Sequence, residues 1–124
     1  QITGFTDYIV SSMYVGCLAD VISNLISGNH VGLFHVASSM PMSKYEYGVS
    51  VANLLGLPFT NMIPGSITQA SELEARSHNL GLSTQRVQQA IGRSMQSTYE
   101  GLRRAFAERN AVMCYLKRNN YSSI

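Results

Sequence analysis

The feature that most restricts the fold of this chain is an alternation of short β-prone runs with segments whose apolar residues recur at helical spacing. The strongest strand prediction is Val31–Val36, which reads VGLFHV, combines β-branched and aromatic residues and is expected to be buried. Shorter strands are predicted at Tyr8–Val10 and Thr60–Ile63. Because helical patterns separate these runs, the sequence predicts an α/β fold.

Four helices are predicted from apolar spacing, capping residues and terminal glycines. Two Ser-x-x-Glu sequences, which begin at Ser43 and Ser97, have the capping-box spacing that satisfies free amides at a helix start. Ser83 is expected to cap another helix, and Gly56 and Gly92 are expected to end the helices before them. The predicted helices are Tyr14–Ser27, Lys44–Leu55, Thr84–Ile91 and Thr98–Glu108.

Two segments have no clean periodicity. Pro64–Asn79 is rich in Ser, Gly, Gln and Glu, and a loop of this length in a compact domain commonly carries function. Beyond Asn110 residues 112–116 can extend the last helix, while residues 119–124 are expected to fray. The domain is therefore expected to span residues 1–109, with an extension or tail at residues 110–124.

The composition favours one small domain with part of its surface covered by another piece of protein. Of 124 residues, 45% are hydrophobic and 13% are charged, which is less solvating surface than an independent domain usually has. The first residue is Gln1, so the chain is interpreted as an excerpt, and no signal peptide opens it. Cys17 and Cys114 form no CxxC pair, and no run of about 20 apolar residues occurs. We expect a cytoplasmic protein with packed thiols and no membrane segment.

The charges are segregated along the sequence. Residues 1–74 contain one basic residue, Lys44, and five acidic residues. From Arg76 onward there are eight basic residues and two acidic ones. Such a basic half can attract an anionic ligand, although solvated helix faces are the preferred interpretation. No Lys/Arg run is interleaved with aromatic residues and no nucleic-acid-binding motif occurs, so no nucleic-acid partner is expected.

The sequence carries few signals of catalysis. The histidines His30, His35 and His78 form no HxH, HxxxH or HExxH pair, so no metal site is predicted. His35 lies inside the apolar run and is expected to be packed there. No GxSxG, GxGxxG or GxxxxGK[ST] sequence occurs, so neither a serine nucleophile nor a nucleotide-binding glycine loop is indicated.

Several motifs in succession resemble one protein family. They are GFTDYIVSSMYVGCLADVISNLI from Gly4, GLFHVASSMPMSKYEYGVSVANLLGL from Gly32, ARSHNLGLSTQRVQQAIG from Ala75 and YEGLRRAF from Tyr99. From Gly4 to Phe106 this order resembles the carboxy-terminal part of extended short-chain dehydrogenases/reductases, and most of all their sugar-nucleotide-binding branch related to dTDP-4-dehydrorhamnose reductase. The resemblance implies a small substrate-binding unit of about four helices with short strands.

The resemblance also implies a division of roles between this chain and an amino-terminal Rossmann domain. In the family that domain carries the glycine-rich loop for NAD or NADP and a Tyr-x-x-x-Lys pair, whose tyrosine works as general acid/base. None of the seven tyrosines here has a lysine four positions on, so this chain is expected to bind no cofactor and to supply no catalytic residue. Its implied role is to position a sugar nucleotide beside the nicotinamide.

Arg76 is the residue to which the resemblance gives the clearest binding role. It begins the Arg-Ser-x-Asn segment that lies near the ligand in the family, and a guanidinium can bind a diphosphate through two charge-assisted hydrogen bonds. A solvated loop arginine is the alternative. In the same segment His78 can meet the ligand, and Asn79 either orders the loop or contacts the ligand.

Three further candidates lie near predicted strand ends. Tyr14 holds the helix-start position that often borders the substrate pocket in the family, although a core role for it is also open. Ser38 and Ser39 follow Val31–Val36, and ligands of open α/β sheets gather at the carboxyl ends of strands. The identity of the sugar nucleotide stays open, because the chain departs from the family pattern at Met13, Cys17 and His78.

Three classes of function are compatible with the sequence. The first is the substrate-binding portion of an NAD(P)-dependent sugar-nucleotide reductase or epimerase. The second is a non-catalytic regulatory or binding protein of the same superfamily. The third is a standalone interaction domain, for which the apolar composition implies a homo-oligomer. The sequence upstream of Gln1 would distinguish the enzyme from the other two classes, because the enzyme requires the glycine loop and the Tyr-x-x-x-Lys pair there.

Overall fold

The computed structural model describes residues 1–70 and 77–118, with side chains up to residue 109 and at residue 111. Its helices are joined by short strands, which confirms the predicted α/β class. The helices are α1 (Val15–Ser27), α2 (Lys44–Leu55), α3 (Gln85–Ile91) and α4 (Thr98–Arg118). The strands are β1 (Ile2–Phe5), β2 (Ile9–Val10), β3 (Met42–Ser43), β4 (Met62–Gly65) and β5 (Asn79–Leu80), and a 3-10 turn covers Ile67–Gln69. None of the described helices has an apolar stretch of transmembrane length.

The strands form two small sheets that bring distant parts of the chain together. β1 pairs in parallel with β4, with Ile2 opposite Met62. β2 is the middle strand of the other sheet, where it pairs antiparallel with β3 and parallel with β5. Asp7, which lies between β1 and β2, accepts hydrogen bonds from Ser66 Oγ and from the amide of Ile67. The turn after β4 is thereby tied to the start of β2.

The core lies between α1, α3 and the loops that follow them. Val21 of α1 and Val87 of α3 are buried against Met95. The residues packed around them are Met13, Leu25, Phe34, Val36 and Ile91. On β1, Gly4 is buried under α2, and an ideal Cβ there would lie 3.0 Å from Tyr45 Cα. The strand and the helix are therefore too close for a larger residue at this position.

Both predicted capping boxes are present. The hydroxyl of Ser43 accepts a hydrogen bond from the amide of Glu46, and the Glu46 carboxylate accepts one from the amide of Ser43. Ser97 and Glu100 make the same reciprocal pair at the start of α4. These boxes could be predicted because the capping interaction joins residues only three positions apart.

Three helix boundaries differ from the prediction, one of them at α1, which begins at Val15 with Tyr14 as its cap. Ser83 is not the cap of α3: Thr84 occupies that position without a side-chain bond to the helix amides, and its hydroxyl accepts from Gln88 Nε2 instead (2.9 Å). α4 continues past the predicted end at Glu108 to Arg118, so the alternative of a longer last helix is the correct one. No glycine or proline follows Glu108 to stop it.

The predicted strand Val31–Val36 is not a strand in this chain. No described strand pairs with it, and Val31 and Leu33 are 86% and 72% exposed. Gly32 has a φ of 114°, which interrupts the extended backbone. His35 is exposed, so the prediction of a packed histidine is also wrong. Apolar composition predicts burial only where another surface is present to cover the run.

The short strands were only partly predictable. Tyr8–Val10 is confirmed as β2, whereas the strand predicted at Thr60–Ile63 begins later, at Met62, because Met62 N first closes a turn onto Phe59 O (2.9 Å). β1, β3 and β5 were not predicted. β3 and β5 have two residues each, which is too short for an alternating pattern to be recognised.

Candidate functional site

A cavity of about 170 Å³ lies where the connection after β2 meets α2 and α4. Its lining includes Ser12–Val15, which lead from β2 into α1, and Tyr47 of α2. The first turns of α4 complete it with Thr98, Gly101, Leu102 and Ala105. The lining begins at Ser12, shortly after β2 ends at Val10, so the cavity lies beyond the carboxyl end of a strand, where α/β folds commonly bind ligands.

Thr98 connects this cavity to the segment that contains Ser38. The Thr98 residue is 3% exposed, and its Oγ1 lies 2.8 Å from Ser38 Oγ, 3.0 Å from Ser12 O and 3.2 Å from Met40 O. A threonine hydroxyl carries one proton, so it donates to one carbonyl at a time and can accept from the Ser38 hydroxyl. Ser38, which is 1% exposed, is thus anchored to α4, and its neighbour Ser39 is exposed.

A second cavity of about 480 Å³ also borders the first turn of α4. It is lined by Ser97 and Tyr99, the two neighbours of Thr98, and by Met40, Pro41, Met42, Glu46 and Ser50. Both cavities therefore use the first turn of α4, and the buried Thr98 hydroxyl fixes the segment between them.

Tyr14 belongs to a polar network that joins α1 to α4. Its phenol donates a hydrogen bond to Glu108 Oε2 (2.6 Å), and Arg104 Nε donates to Glu108 Oε1 (2.7 Å). Arg104 also forms an ion pair with Asp20, and its guanidinium lies 5.9 Å from the centre of the Tyr14 ring. Tyr14 therefore lines the cavity while its hydroxyl is held by α4.

The network fixes the protonation states of its members. The hydrogen bond to Glu108, together with burial, raises the pKa of Tyr14. Hydrogen bonds from Tyr14 and Arg104 lower the pKa of Glu108, and the bonds to Asp20 and Glu108 raise the pKa of Arg104. At neutral pH the phenol is protonated and Glu108 is ionised. A tyrosine with a raised pKa is rarely ionised and gives up its proton less readily, so this geometry suits Tyr14 for positioning and not for acid–base catalysis.

Acid is expected to weaken the network. Because the folded-state pKa of Glu108 is lowered, its contribution to stability is present above the unfolded pKa of about 4.3 and is lost as the pH falls toward the folded value. Urea unfolding at about pH 5 and about pH 3 should therefore show a smaller loss of stability in Glu108→Gln than in the wild type. Tyr14→Phe, which removes one of the hydrogen bonds to Glu108, should be intermediate. Equal losses in all three proteins would contradict this account.

His78 and Asn79 lie beside β2. The amide of Ile9 donates to His78 O (2.8 Å), and Asn79 is paired with Ile9 in the sheet. Asn79 Oδ1 accepts from the amide of Gly81 (2.9 Å), and both His78 and Asn79 are exposed. Since β2 leads directly into Ser12–Val15, these two residues lie on the strand next to the one that enters the cavity lining.

The six residues predicted for substrate binding are brought together only in part. Tyr14 lines the cavity, and Ser38 reaches it through Thr98. His78 and Asn79 lie one strand away, and Ser39 is exposed next to Ser38. Arg76 falls outside the described residues. Binding by these six residues stays a prediction.

Sequence reasoning missed Thr98, Tyr47 and Glu108. Thr98 follows the capping serine of α4, so the capping box could have marked its position but not its partners. Tyr47 lies within the predicted helix Lys44–Leu55, where nothing in the sequence distinguishes it from the other apolar residues of that helix. No local signal exists for Glu108, whose partner Tyr14 is 94 residues away.

The predictions about thiols and metals concern groups away from this cavity. Cys17 is 4% exposed, which confirms that it is packed, whereas the side chain of Cys114 is not among those described. Within residues 1–70 and 77–118, no three His, Cys, Asp or Glu side chains are grouped so that they could hold a metal ion.

No family model and no curated protein matches this sequence. A solved structure does match: the crystal structure of dTDP-4-dehydrorhamnose reductase from Bacillus anthracis str. Ames in complex with NADP, with a TM-score of 0.74 and 28% sequence identity. The match covers 86% of this chain and 37% of the reductase, so the chain spans well under half the length of that protein. The chain therefore shares its fold with part of a reductase, which confirms at the level of the fold the resemblance indicated by the sequence motifs.

Proposed function

We propose that this chain is the substrate-binding portion of an NAD(P)-dependent sugar-nucleotide reductase, or of a related epimerase. Residues 1–109 form its substrate-binding domain and residues 110–124 an extension. The observation that carries the proposal is the shared fold, over 86% of the chain, with dTDP-4-dehydrorhamnose reductase in complex with NADP. The ligand proposed for this chain is accordingly a nucleotide diphosphate sugar.

The cofactor is assigned to a part of the protein outside this chain. The sequence contains no glycine loop that could receive the pyrophosphate of NAD or NADP, and it contains no Tyr-x-x-x-Lys pair. In the proposal an amino-terminal Rossmann domain holds the cofactor, which supplies the hydride when bound. The residues of this chain hold and orient the sugar nucleotide, a contribution that accounts for much of the rate when the reacting atoms must be aligned.

The lining of the cavity supports a ligand of this class. Tyr14 and Tyr47 present aromatic rings with polar tips, which suit the mixed polar and apolar surface of a sugar or a base. Arg76 supplies the positive charge for the diphosphate, and two residues separate it from β5 in the sequence. Tyr14, with its raised pKa, orients the ligand without accepting its proton.

The proposal predicts no nicotinamide-dependent turnover of a sugar nucleotide by the 124-residue chain alone. A longer polypeptide, in which the Rossmann domain precedes Gln1, should oxidise NADPH when a dTDP-linked 4-dehydro sugar is added. The assay is spectrophotometric, with both proteins at equal concentration. Turnover by the isolated chain, with contaminating reductase excluded, would contradict the assignment of roles.

The same two proteins, the 124-residue chain and the longer polypeptide, also distinguish the enzyme from the regulatory protein and from the standalone interaction domain. Sugar-nucleotide binding without turnover, in a longer polypeptide that lacks the Tyr-x-x-x-Lys pair, would identify the regulatory protein. A stable homo-oligomer of the 124-residue chain that binds no sugar nucleotide would identify the standalone interaction domain. Either result would replace the enzymatic proposal.

A further inference from the structure

The second cavity, of about 480 Å³, has apolar lining residues that are open to solvent. Met40, Pro41, Met42 and Tyr99 are among them, and the side chains at both ends of this set are large and accessible, since Met40 is 66% and Tyr99 47% exposed. Ligand sites are typically concave, mostly apolar surfaces on which a few polar groups fix the orientation of the ligand. The apolar part of such a surface is present here.

Polar side chains without a partner line the same cavity. Glu46 accepts both hydrogen bonds from Ser43 on one oxygen, Oε2, at 2.8 and 2.9 Å. Within the described part of the chain no hydrogen bond reaches Glu46 Oε1, and the hydroxyls of Ser50 and Tyr99 make none. A serine inside a helix often bonds the carbonyl four residues before it, and Ser50 lacks that bond. Three polar groups of the lining can therefore bind a ligand.

The charge of this cavity is negative. Hydrogen bonds from the amide and the hydroxyl of Ser43 lower the pKa of Glu46, so its carboxylate is ionised at neutral pH. No lysine or arginine is among the described residues of the lining. The neighbouring Lys44 lies at the other cavity, since its ammonium is 6.0 Å from the ring centre of Tyr47. A phosphate would be repelled by Glu46, whereas a neutral hydroxyl can donate a charge-assisted hydrogen bond to it.

A sugar ring has the chemistry that this lining requires. Its hydroxyls can donate to Glu46 Oε1, and they can both donate to and accept from the hydroxyls of Ser50 and Tyr99. Its C–H groups can pack on the tyrosine ring and on the methionine side chains. An ammonium ligand matches less well, because Glu46 is the single acidic residue among the described lining residues.

We propose that the second cavity is a binding site for the hydroxyl-bearing ring of a sugar, in which Glu46, Ser50 and Tyr99 bind the hydroxyls. The sugar can belong to the nucleotide diphosphate sugar, in which case the inference rests on the proposed function, or it can be a free saccharide. Both sources present the same hydroxyl chemistry. In either case phosphate groups lie outside this cavity.

An NMR titration of the isotope-labelled 124-residue chain tests the site with four probes: dTDP-glucose, dTDP, methyl glucoside and methyl glucosaminide. A sugar ring in the second cavity should shift the amide signals of Glu46, Ser50 and Tyr99, and dTDP should leave these three signals unchanged. Shifts with dTDP-glucose alone identify the sugar nucleotide as the source. Shifts with methyl glucoside as well identify a site that also accepts a free saccharide.

The decisive variant is Glu46→Gln, which should weaken binding of the sugar at least about tenfold, as expected for the loss of a hydrogen bond to a charged group. Glutamine is compatible with a capping box, so its carbonyl can keep the bonds from Ser43 while its amide nitrogen replaces the free oxygen. Glu100→Gln is the matched control. Glu100 makes the same bonds with Ser97 and has a lowered pKa for the same reason, but it does not line the cavity. Its substitution should leave binding unchanged.

Four results would overturn the inference. They are shifts of the three signals by dTDP, shifts by methyl glucosaminide alone, no shift by dTDP-glucose or methyl glucoside, and equal losses of binding in Glu46→Gln and Glu100→Gln. The first two would identify an anion site or a cation site, and the last would assign the loss to the helix caps.

The same titration separates this inference from the proposed function. Binding of dTDP-glucose that shifts other signals and leaves Glu46, Ser50 and Tyr99 unchanged contradicts only the sugar site. Binding of methyl glucoside at these three residues, without any binding of dTDP-glucose, contradicts only the proposed function.

Discussion

Replacing Arg76 with alanine is expected to weaken sugar-nucleotide binding by roughly ten- to a hundredfold in the longer polypeptide, since a charge-assisted phosphate contact contributes about 1.5–3 kcal/mol. The expectation comes from the sequence: Arg76 begins the family-like ARSHNL segment and marks the onset of the basic half of the chain. The residues that follow it reach β5, next to the strand that leads into the cavity. Isothermal titration with a nucleotide diphosphate sugar measures the effect.

Two further variants show whether the effect depends on charge alone. Arg76→Lys should restore only part of the affinity, because lysine keeps the positive charge but lacks the planar fork that makes two parallel bonds to phosphate oxygens. Arg93→Ala is the matched control, because Arg93 is an exposed arginine of the same basic half and lies just after α3. If Arg76→Ala binds the sugar nucleotide with wild-type affinity, Arg76 is a solvated loop arginine and does not bind the diphosphate.

Thr98→Val is expected to lower the free energy of unfolding by about 1–3 kcal/mol, because a buried polar group left without a partner, here the Ser38 hydroxyl, costs about that much. Valine has nearly the shape of threonine, so the packing is preserved while the hydroxyl is lost. Ser38 Oγ, Ser12 O and Met40 O then all lose their contact with position 98. Urea denaturation of the wild type and the variant gives the difference.

The matched control is Thr68→Val, since Thr68 is an exposed threonine whose hydroxyl lies 2.7 Å from Ser66 Oγ. This change should alter stability by no more than about 0.5 kcal/mol, as is usual at a surface site. A double-mutant cycle with Ser38→Ala should show coupling between Ser38 and Thr98, because the two hydroxyls are in direct contact. A Thr98→Val loss no larger than that of Thr68→Val would mean that the buried hydroxyl does not anchor the Ser38 segment.

The parts of this fold that could be predicted are those specified by residues close together in sequence. Ser43 and Glu46 form a capping box by themselves, and glycine at position 56 ends α2 in a left-handed conformation with φ of 64°. Such signals need no knowledge of the rest of the molecule. The positions of the helices followed from them, with errors of one residue at the starts of α1 and α3 and a larger error at the end of α4.

Features that depend on a distant partner could not be predicted in the same way. Ile2 pairs with Met62 from the other half of the chain, and Tyr14 with Glu108, which is 94 residues away, and neither Ile2 nor Tyr14 has a sequence feature that indicates its partner. The Val31–Val36 run shows the opposite error: it has the residues of a strand, but a strand also needs a neighbour, and the described part of the chain provides none. The composition of a segment shows that its side chains could be buried in a sheet, but they are buried there only if a neighbouring strand pairs with the segment.

The basic half of the sequence illustrates the same difference for charge. The preferred interpretation is a set of solvated helix faces. Arg86, Arg103 and Arg109 are exposed on helices, and Arg93 is exposed just after α3. Arg104 is different, because it is half-buried and paired with both Asp20 and Glu108. A count of charges along the sequence cannot distinguish Arg104 from the exposed arginines, because one of its partners, Asp20, lies on α1, 84 residues earlier in the sequence.

The network between α1 and α4 also determines when this chain can fold during its synthesis. Asp20 and Arg104 are 84 residues apart, and Tyr14 and Glu108 are 94 apart, so α1 leaves the ribosome long before its partner has been made. Contacts between such distant residues form late, and exposed apolar surfaces invite aggregation until they do. Until α4 has been made, Asp20 and Tyr14 lack the partners that hold α1 in place, and Val15, Ile22 and Ile26 remain exposed even after α4 has joined it.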